Sequence, residues 1–400
     1  MKILFKDCRI VDHKDDYTTD LLIEDQYIKS IEPNLNMSAD IVIDAKDKVL
    51  MPSFVDLHVH FRDPGFTYKE DLKTGSHAAL KGGYTRVYAM GNTKPVCDNV
   101  EIYNDIIKRN EELDLVDLHQ IITITKGLEG KELTDFDSFD DSVKFISDDG
   151  KGVLSNKLMY EACLKAVEKN IGIMIHAEEP EISPIDYRIA EDLITIRDVY
   201  LSKATGCKIH FSHVSTKDSI DAIRLGKQYG ANITCEVTPH HILLHDVDYR
   251  VNPPIRELSD TRSIIEGILD GTVDAIATDH APHSKEDKEK GAPGMIGLET
   301  AFMISYTTLV AKGLIDLKLL SKVMSYNPSR ILNVDHGEIK VGALADLVLV
   351  DLNKKTKIDE FTFKSKSKNS PFYGYDFEGN IEMTIRHGKI MYDGGKNDNR

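Results

Sequence analysis

The chain has 400 residues, 41% hydrophobic and 29% charged, an ordinary globular composition with ample length for a large core. Its formal charge of −16 argues against nucleic-acid or anionic-membrane partners, since both want a basic face. The five cysteines (Cys8, Cys97, Cys163, Cys207 and Cys235) are odd in number, scattered and free of any C-x-x-C pair, which fits buried thiols in a reducing, cytoplasmic compartment better than a disulfide framework.

The first fifty residues contain KILFKDCRIVD, DLLIEDQYIKSIEP and ADIVIDA, which read as short strands separated by polar turns. The opening apolar run is broken by Lys6 and Asp7, too short for a signal-peptide core, and no later run approaches membrane-spanning length. From residue 54, short β-rich runs alternate with helical patterns. The runs are FVDLHVH (54–60), TRVYAMGN (85–92), LHQIITITKG (118–127), SVKFISDDG (142–150), IGIMIHAEE (171–179), CKIHFSHVS (207–215), ANITCEVTPHH (231–241) and VDAIATDHAP (273–282). Amphipathic segments such as 68–83 and 157–170 lie between them. In the latter, Met159, Ala162, Cys163, Ala166 and Val167 recur at helical spacing and Asn170 is a stop. Eight strand signals alternating with helices predict an α/β fold, a (β/α)8 TIM barrel. An open doubly wound sheet is the alternative, but no G-x-G-x-x-G follows an early strand.

After residue 337 the chain returns to strand-like runs, EIKVGALADLVLVDL and MTIRHGKIMYDGG. The expected organisation is a barrel domain over 53–336 and a small split β-sandwich assembled from both ends, 1–52 and 337–400. The Lys-rich segment 354–372 reads as a solvated loop. The tail GGKNDNR (394–400) reads as disordered.

Polar residues gather at the C-terminal ends of the strand signals, where barrel enzymes keep their active sites. The first ends in His58-Val59-His60, whose two imidazoles can share one face of a strand. The fourth ends in Asp148 and Asp149, the fifth in His176. The sixth carries His213, and the eighth ends in Asp279, His280 and, slightly later, His283. Each has an ordinary alternative: a core histidine, a turn at Asp149-Gly150, or an N-cap at Asp279. Their joint placement is what those alternatives explain badly. Imidazoles and carboxylates without a thiolate are the ligand set of hydrolytic zinc or a similar divalent ion.

FVDLHVHFRDPG (54–65), GGYTRVYAMGNTKP (82–95), SDDGKGV (147–153), EVTPHH (236–241), VNPPIR (251–256) and ATDHAPH (277–283) together resemble the bacterial type I dihydroorotases of the amidohydrolase superfamily. The resemblance implies a metal-dependent cyclic amidohydrolase that interconverts N-carbamoyl-L-aspartate and L-dihydroorotate in pyrimidine synthesis. It implies that His58, His60 and Asp279 ligate one zinc, that His176 and His213 hold a second, and that Asp149 bridges them. It also makes Asp279 the catalytic proton shuttle. His60, Arg62, Asn92, Asn252, His283 and Gly294 would contact the substrate, Arg62 and Asn92 at its carboxylate. A guanidinium fork suits that group because paired N–H donors match both oxygens. A homo-oligomer, a dimer, is implied, with a carbamoyltransferase as a further possible partner.

The sequence departs from the pattern in three places. Many superfamily relatives bridge two metals with a carboxylated lysine where this chain has Asp149, which leaves one or two ions open, two being favoured. The loop after His176 (EEPEISPIDYRIAED) and the segment HDVDYR before Asn252 are short, and such loops carry substrate contacts. KGAPGMIGLETAF (290–302) lacks one residue beside Gly294. The competing expectations are a hydantoinase or allantoinase, which Arg62 and Asp149 disfavour, and a metal-free scaffold for a carbamoyltransferase, which should have lost ligands.

Overall fold

The computed structural model describes residues 1–395; most of the expected disordered tail, 396–400, lies outside the described residues. In β1 (Lys2–Val11), Ile3 and Phe5 face one core, and the inward set resumes at Cys8 and Ile10, one residue out of step. A bulge between Phe5 and Cys8, with Asp7 at φ 53°, absorbs the extra residue. Antiparallel β2 (Asp16–Glu24) and β3 (Tyr27–Glu32) follow on one side of β1. Two parallel strands share its other side, β4 (Ile41–Asp44) along the first half and β5 (Val49–Pro52) along the second.

The eight inner strand signals each coincide with a strand. These are β6 (Phe54–Val59), β7 (Tyr84–Ala89), β8 (Asp117–Gln120), β9 (Phe145–Ile146), β10 (Gly172–Ile175), β11 (Ile209–Phe211), β12 (Ile233–Val237) and β13 (Ala275–Ile276). All pairings among them are parallel. They form a three-stranded sheet, β6-β7-β8, and a five-stranded one, β9 to β13 in chain order. Single parallel bridges, Ile122 with Ile146 and Val59 with His280, join the edges of the two sheets. There the Ser147 N–H donates to Ile122 O (3.0 Å) and the His60 N–H to His280 O (2.9 Å). The connecting helices start and stop where local chemistry dictates. Helix Leu72–Lys81 is opened by Asp71 in a capping box with Thr74, and helix Asn156–Lys169 by Ser155. Asn170 ends the latter in the left-handed conformation. Met159, Ala162, Cys163 and Ala166 of that helix are buried, whereas Val167 is exposed.

The chain returns through β14 (Leu347–Lys357), β15 (Asp376–Arg386) and β16 (Lys389–Asp393). β14 pairs antiparallel with β5, so both ends of the chain share one sheet, ordered β16-β15-β14-β5-β1-β2-β3 with β4 on β1. All eight strands are linked by hydrogen bonds, because β1 pairs with three others and β5 carries the connection to β14. The sheet has its own core, including Ile3, Phe5, Leu21, Leu50, Leu347 and Ile385. The five cysteines are all buried and unpaired, and no helix among the described residues is long and apolar enough to cross a membrane.

The solvated-loop expectation for 354–372 holds only for a short stretch. Residues 354–357 are the end of β14 and residues 359–362 are exposed, but Ile358, Phe363, Ser365, Ser367, Ser370 and Phe372 are buried. Alternating small and aromatic side chains, masked by intervening lysines, let this segment lie as a strap across the loops that follow β6 and β13. Phe363 and Phe372 join a core with Leu244, Val251, Met295 and Ile304.

Candidate metal centre

The C-terminal end of β6 and the loops after the inner strands bring His58, His60, Asp149, His176, His213 and Asp279 into one buried cluster. Ligand atoms of His58, His60 and Asp149 lie within 4.8 Å of one another, as do those of Asp149, His176 and His213. Asp149 is common to both groups. Its neighbour Asp148 turns away, accepting from the Thr125 N–H (3.0 Å) and hydroxyl. Asp279 Oδ1 stands 3.2 Å from His60 Nε2 and 3.7 Å from His58 Nε2. His213 (φ 37°) and Asp279 (φ 46°) hold left-handed backbone, as does Arg62 (φ 59°). Such non-glycine conformations cost about 1–3 kcal/mol each and persist where surrounding contacts over-determine them.

The outer hydrogen bonds decide which nitrogen of each ring faces the centre. His58 Nδ1–H donates to Glu236 Oε1 (3.1 Å), His60 Nδ1–H to Asn92 Oδ1 (3.0 Å) and His176 Nε2–H to Glu178 Oε2 (3.0 Å). Each pinned proton leaves a lone pair on the opposite nitrogen, His58 Nε2, His60 Nε2 and His176 Nδ1, directed at Asp149. His176 Nδ1 and His213 Nε2 are 2.9 Å apart. With the His176 proton on Nε2, that approach needs a proton or a cation between the rings. His58 Nε2 and Asp149 Oδ1 are buried without any hydrogen-bond partner. Burial opposes charging the rings, yet the Asp149 carboxylate lifts the pKa of His58 well above the usual histidine range and that of His176 to about 9. Burial would raise the pKa of Asp279; the neighbouring His60 and His58 imidazoles hold it well below the ordinary carboxylate range. The cluster therefore favours positive charge at its middle, and its donor set fits divalent metal.

Beside it lies a second group. Arg62 Nε donates to Pro282 O (3.3 Å), and its Nη2 is 3.3 Å from His283 Nε2. Burial, then Arg62 and Lys69, keep His283 neutral, its pKa lowered to about 3. Gly294 sits beneath His283 at φ 132°, where a Cβ would lie 2.8 Å from Ala281 Cβ. Asn92 donates to the Asp149 carboxylate (3.1 Å) as well as accepting from His60. Asn252 donates to Glu178 (2.9 Å). All of the residues singled out in the sequence thus meet at one end of the inner strands.

Residues 49–391 match the amidohydrolase family. A dihydroorotase from Clostridium botulinum is 50% identical over 98% of this chain and 100% of its own length. One from Anoxybacillus flavithermus is 40% identical over 99% and 100%. The chain belongs to the amidohydrolase family, among the dihydroorotases. Among solved structures, an L-hydantoinase from Arthrobacter aurescens superposes with a TM-score of 0.88 at 25% identity, covering 98% of this chain and 96% of its own. A D-hydantoinase from a Thermus species superposes at 0.86 and 23%, covering 98% and 96%. These amidohydrolase neighbours share the α/β architecture with its terminal β domain.

Two acidic residues of this amidohydrolase site escaped the sequence reading. Glu236 is fully buried and serves two rings, His58 and, through Oε2, His210 (3.0 Å). Burial opposes its ionisation, but the bonds to His210 and His58 bring its pKa down to about 2. Glu178 accepts from both His176 and Asn252. A signal existed for each: Glu236 is a charge inside the apolar run ITCEV, and Glu178 stands two residues beyond His176.

Proposed function

We propose that this chain is a zinc-dependent dihydroorotase, closing N-carbamoyl-L-aspartate to L-dihydroorotate and opening it again in pyrimidine synthesis. The observation that carries this reading is Arg62, a guanidinium beside His283 at the rim of the metal-binding cluster. A hydrolytic centre alone would suit any cyclic amide; a fork of N–H donors beside it selects one bearing a carboxylate. We assign two ions, with His58, His60 and Asp279 at one, His176 and His213 at the other, and Asp149 between. The partnerless His58 Nε2 and Asp149 Oδ1 support this assignment. When bound, the metal polarises the reacting carbonyl and lowers the pKa of water.

The chain's own residues do the rest. Arg62 and His283 hold the substrate carboxylate, with Asn252 and Gly294 lining the site and Asn92 joining the grip while steadying His60. In ring opening, the ionised Asp279 takes the proton of the attacking water as the C–O bond forms. It then returns that proton to the ring nitrogen as the C–N bond breaks. Ring closure runs the same transfers backwards. The eight inner strands are read as a closed (β/α)8 barrel, supported by the two bridges joining the sheet edges. Domain bounds of 53–336 and 1–52 with 337–400 follow, the strap being an excursion of the second onto the first.

We further assign a second copy of this chain as partner, supported by Ile189, Leu193, Ile196 and Tyr200, exposed along one face of helix Tyr187–Thr205. Sedimentation velocity of wild type and Leu193→Glu tests this; a monomeric wild type refutes it. Purified protein assayed on L-dihydroorotate, hydantoin and allantoin tests the activity. Turnover of L-dihydroorotate with stoichiometric zinc is expected. Turnover of the other two alone would overturn the reading in favour of a hydantoinase, and absence of zinc and of all turnover in favour of a scaffold.

A further inference from the structure

The imidazole of His283 stands between two groups that can only donate. Arg62 Nη2 is 3.3 Å from its Nε2, and Lys69 Nζ is 3.2 Å from its Nδ1. A neutral imidazole accepts at one nitrogen and donates at the other, so only one of these contacts can be a hydrogen bond. Lys69 is the better anchored. Its side chain is largely buried, its ammonium lies 3.3 Å from Asp287 Oδ2 on the far side and 5.4 Å from the centre of the Phe66 ring, and its carbonyl accepts from Ser367 Oγ of the strap (2.6 Å).

We propose that Lys69 is a positioning residue for the reaction. It donates to His283 Nδ1 and so places the ring proton on Nε2, turning His283 into a second N–H donor beside Arg62. Two donors then converge with no acceptor between them. A substrate carboxylate supplies the missing acceptor and joins Arg62 Nη2 to His283 Nε2–H. In the opposite tautomer, Arg62 Nη2 would be spent on His283 and the fork would lose one arm. This inference rests on the dihydroorotase reading for the identity of the anion, but not for the tautomer.

The test is two measurements on zinc-loaded protein. The first uses 15N-histidine labelling, with the His283 signals assigned by their loss in His283→Gln. Wild type is expected to show a protonated Nε2 and an unprotonated Nδ1, and Lys69→Met to lose that pattern. The second is steady-state kinetics on L-dihydroorotate. Losing a hydrogen bond that organises a charged contact is expected to raise KM about tenfold, with kcat changed by less than about twofold. Asp287→Asn, which leaves the ammonium on His283, is expected to raise KM far less. An unprotonated Nε2 in wild type overturns the proposal, as do equal effects of Lys69→Met and Asp287→Asn, which would mean that Lys69 serves only its ion pair. Should Lys69→Met fail to fold, the wild-type spectrum alone decides. Failure to turn over L-dihydroorotate would refute the function while leaving the tautomer measurable.

Discussion

Asp279 and Glu236 are both buried carboxylates next to His58, and they answer to different demands. Asp279 lies against His60 and His58 with its pKa held down, so it is ionised at neutral pH. Asp279→Asn keeps the shape and removes the base. Loss of a general acid–base group is worth about 10²–10⁴ in rate, so kcat should fall by about that factor while the thermal melting curve stays cooperative. Retention of most of kcat would mean that the proton moves elsewhere. Glu236 touches no reacting atom; it orients His58 by taking its Nδ1 proton. Glu236→Gln should weaken zinc retention about 10–100-fold, the usual cost of losing an outer hydrogen bond to a metal-binding histidine. Competition with a chromophoric chelator measures this, and unchanged retention would show that the His58 ring is held by packing alone. His58 and His60 were legible from spacing two apart on a strand. Glu236 was not, because a single acidic residue in an apolar run does not reveal which ring it will face.

At the scale of elements, the loops after β6 and β13 carry Arg62, His283 and Gly294, and the strap binds both of them. Asn369 Oδ1 accepts from the His283 N–H (3.0 Å), its Nδ2 donates to Ala281 O and Gly294 O (both 3.1 Å), and its carbonyl accepts from the Ile296 N–H (2.9 Å). Ser365 and Lys366 bind the buried carboxylate of Glu70 on the other loop. Asn369→Ala removes the side-chain bonds and frees the His283 loop. We expect roughly a tenfold rise in KM for L-dihydroorotate with little change in kcat, since each lost bond contributes about 1 kcal/mol. Unchanged kinetics would show that the loop is fixed without Asn369. The lysines of 354–372 concealed this role, because a run so rich in charge gives no sign that Phe363, Ser365, Ser367, Ser370 and Phe372 between them are buried.

At the scale of the whole molecule, the terminal sheet meets the start of the inner strands through Asp117. Its carboxylate accepts from Arg86 Nη2 (2.8 Å) and from Arg386 Nε (3.0 Å) and Nη2 (2.8 Å), with His387 at 3.4 Å. Burial opposes ionisation, yet the bond to His387 and the charges of Arg86 and Arg386 hold Asp117 well below the ordinary carboxylate pKa. A depressed folded pKa contributes stability that is fully present above the unfolded value of about 3.9 and lost as pH falls through the folded one. Asp117→Asn should cost about 3 kcal/mol near pH 7, and the gap from wild type should narrow below about pH 4. Urea midpoints across pH measure it; a gap independent of pH would mean that the ion pairs add no net stability. The sequence by itself determined the eight inner strands, the β-rich ends and the identity of the clustered histidines and aspartates, because periodicity and residue chemistry are local. The family resemblance already pointed to Asp149 rather than Asp148; only the tertiary structure decided which nitrogen of each histidine faces it. It alone laid the strap on the active end and paired β14 with β5. Each of these depends on which distant groups are brought within hydrogen-bond distance, a relation that spacing along the chain does not encode.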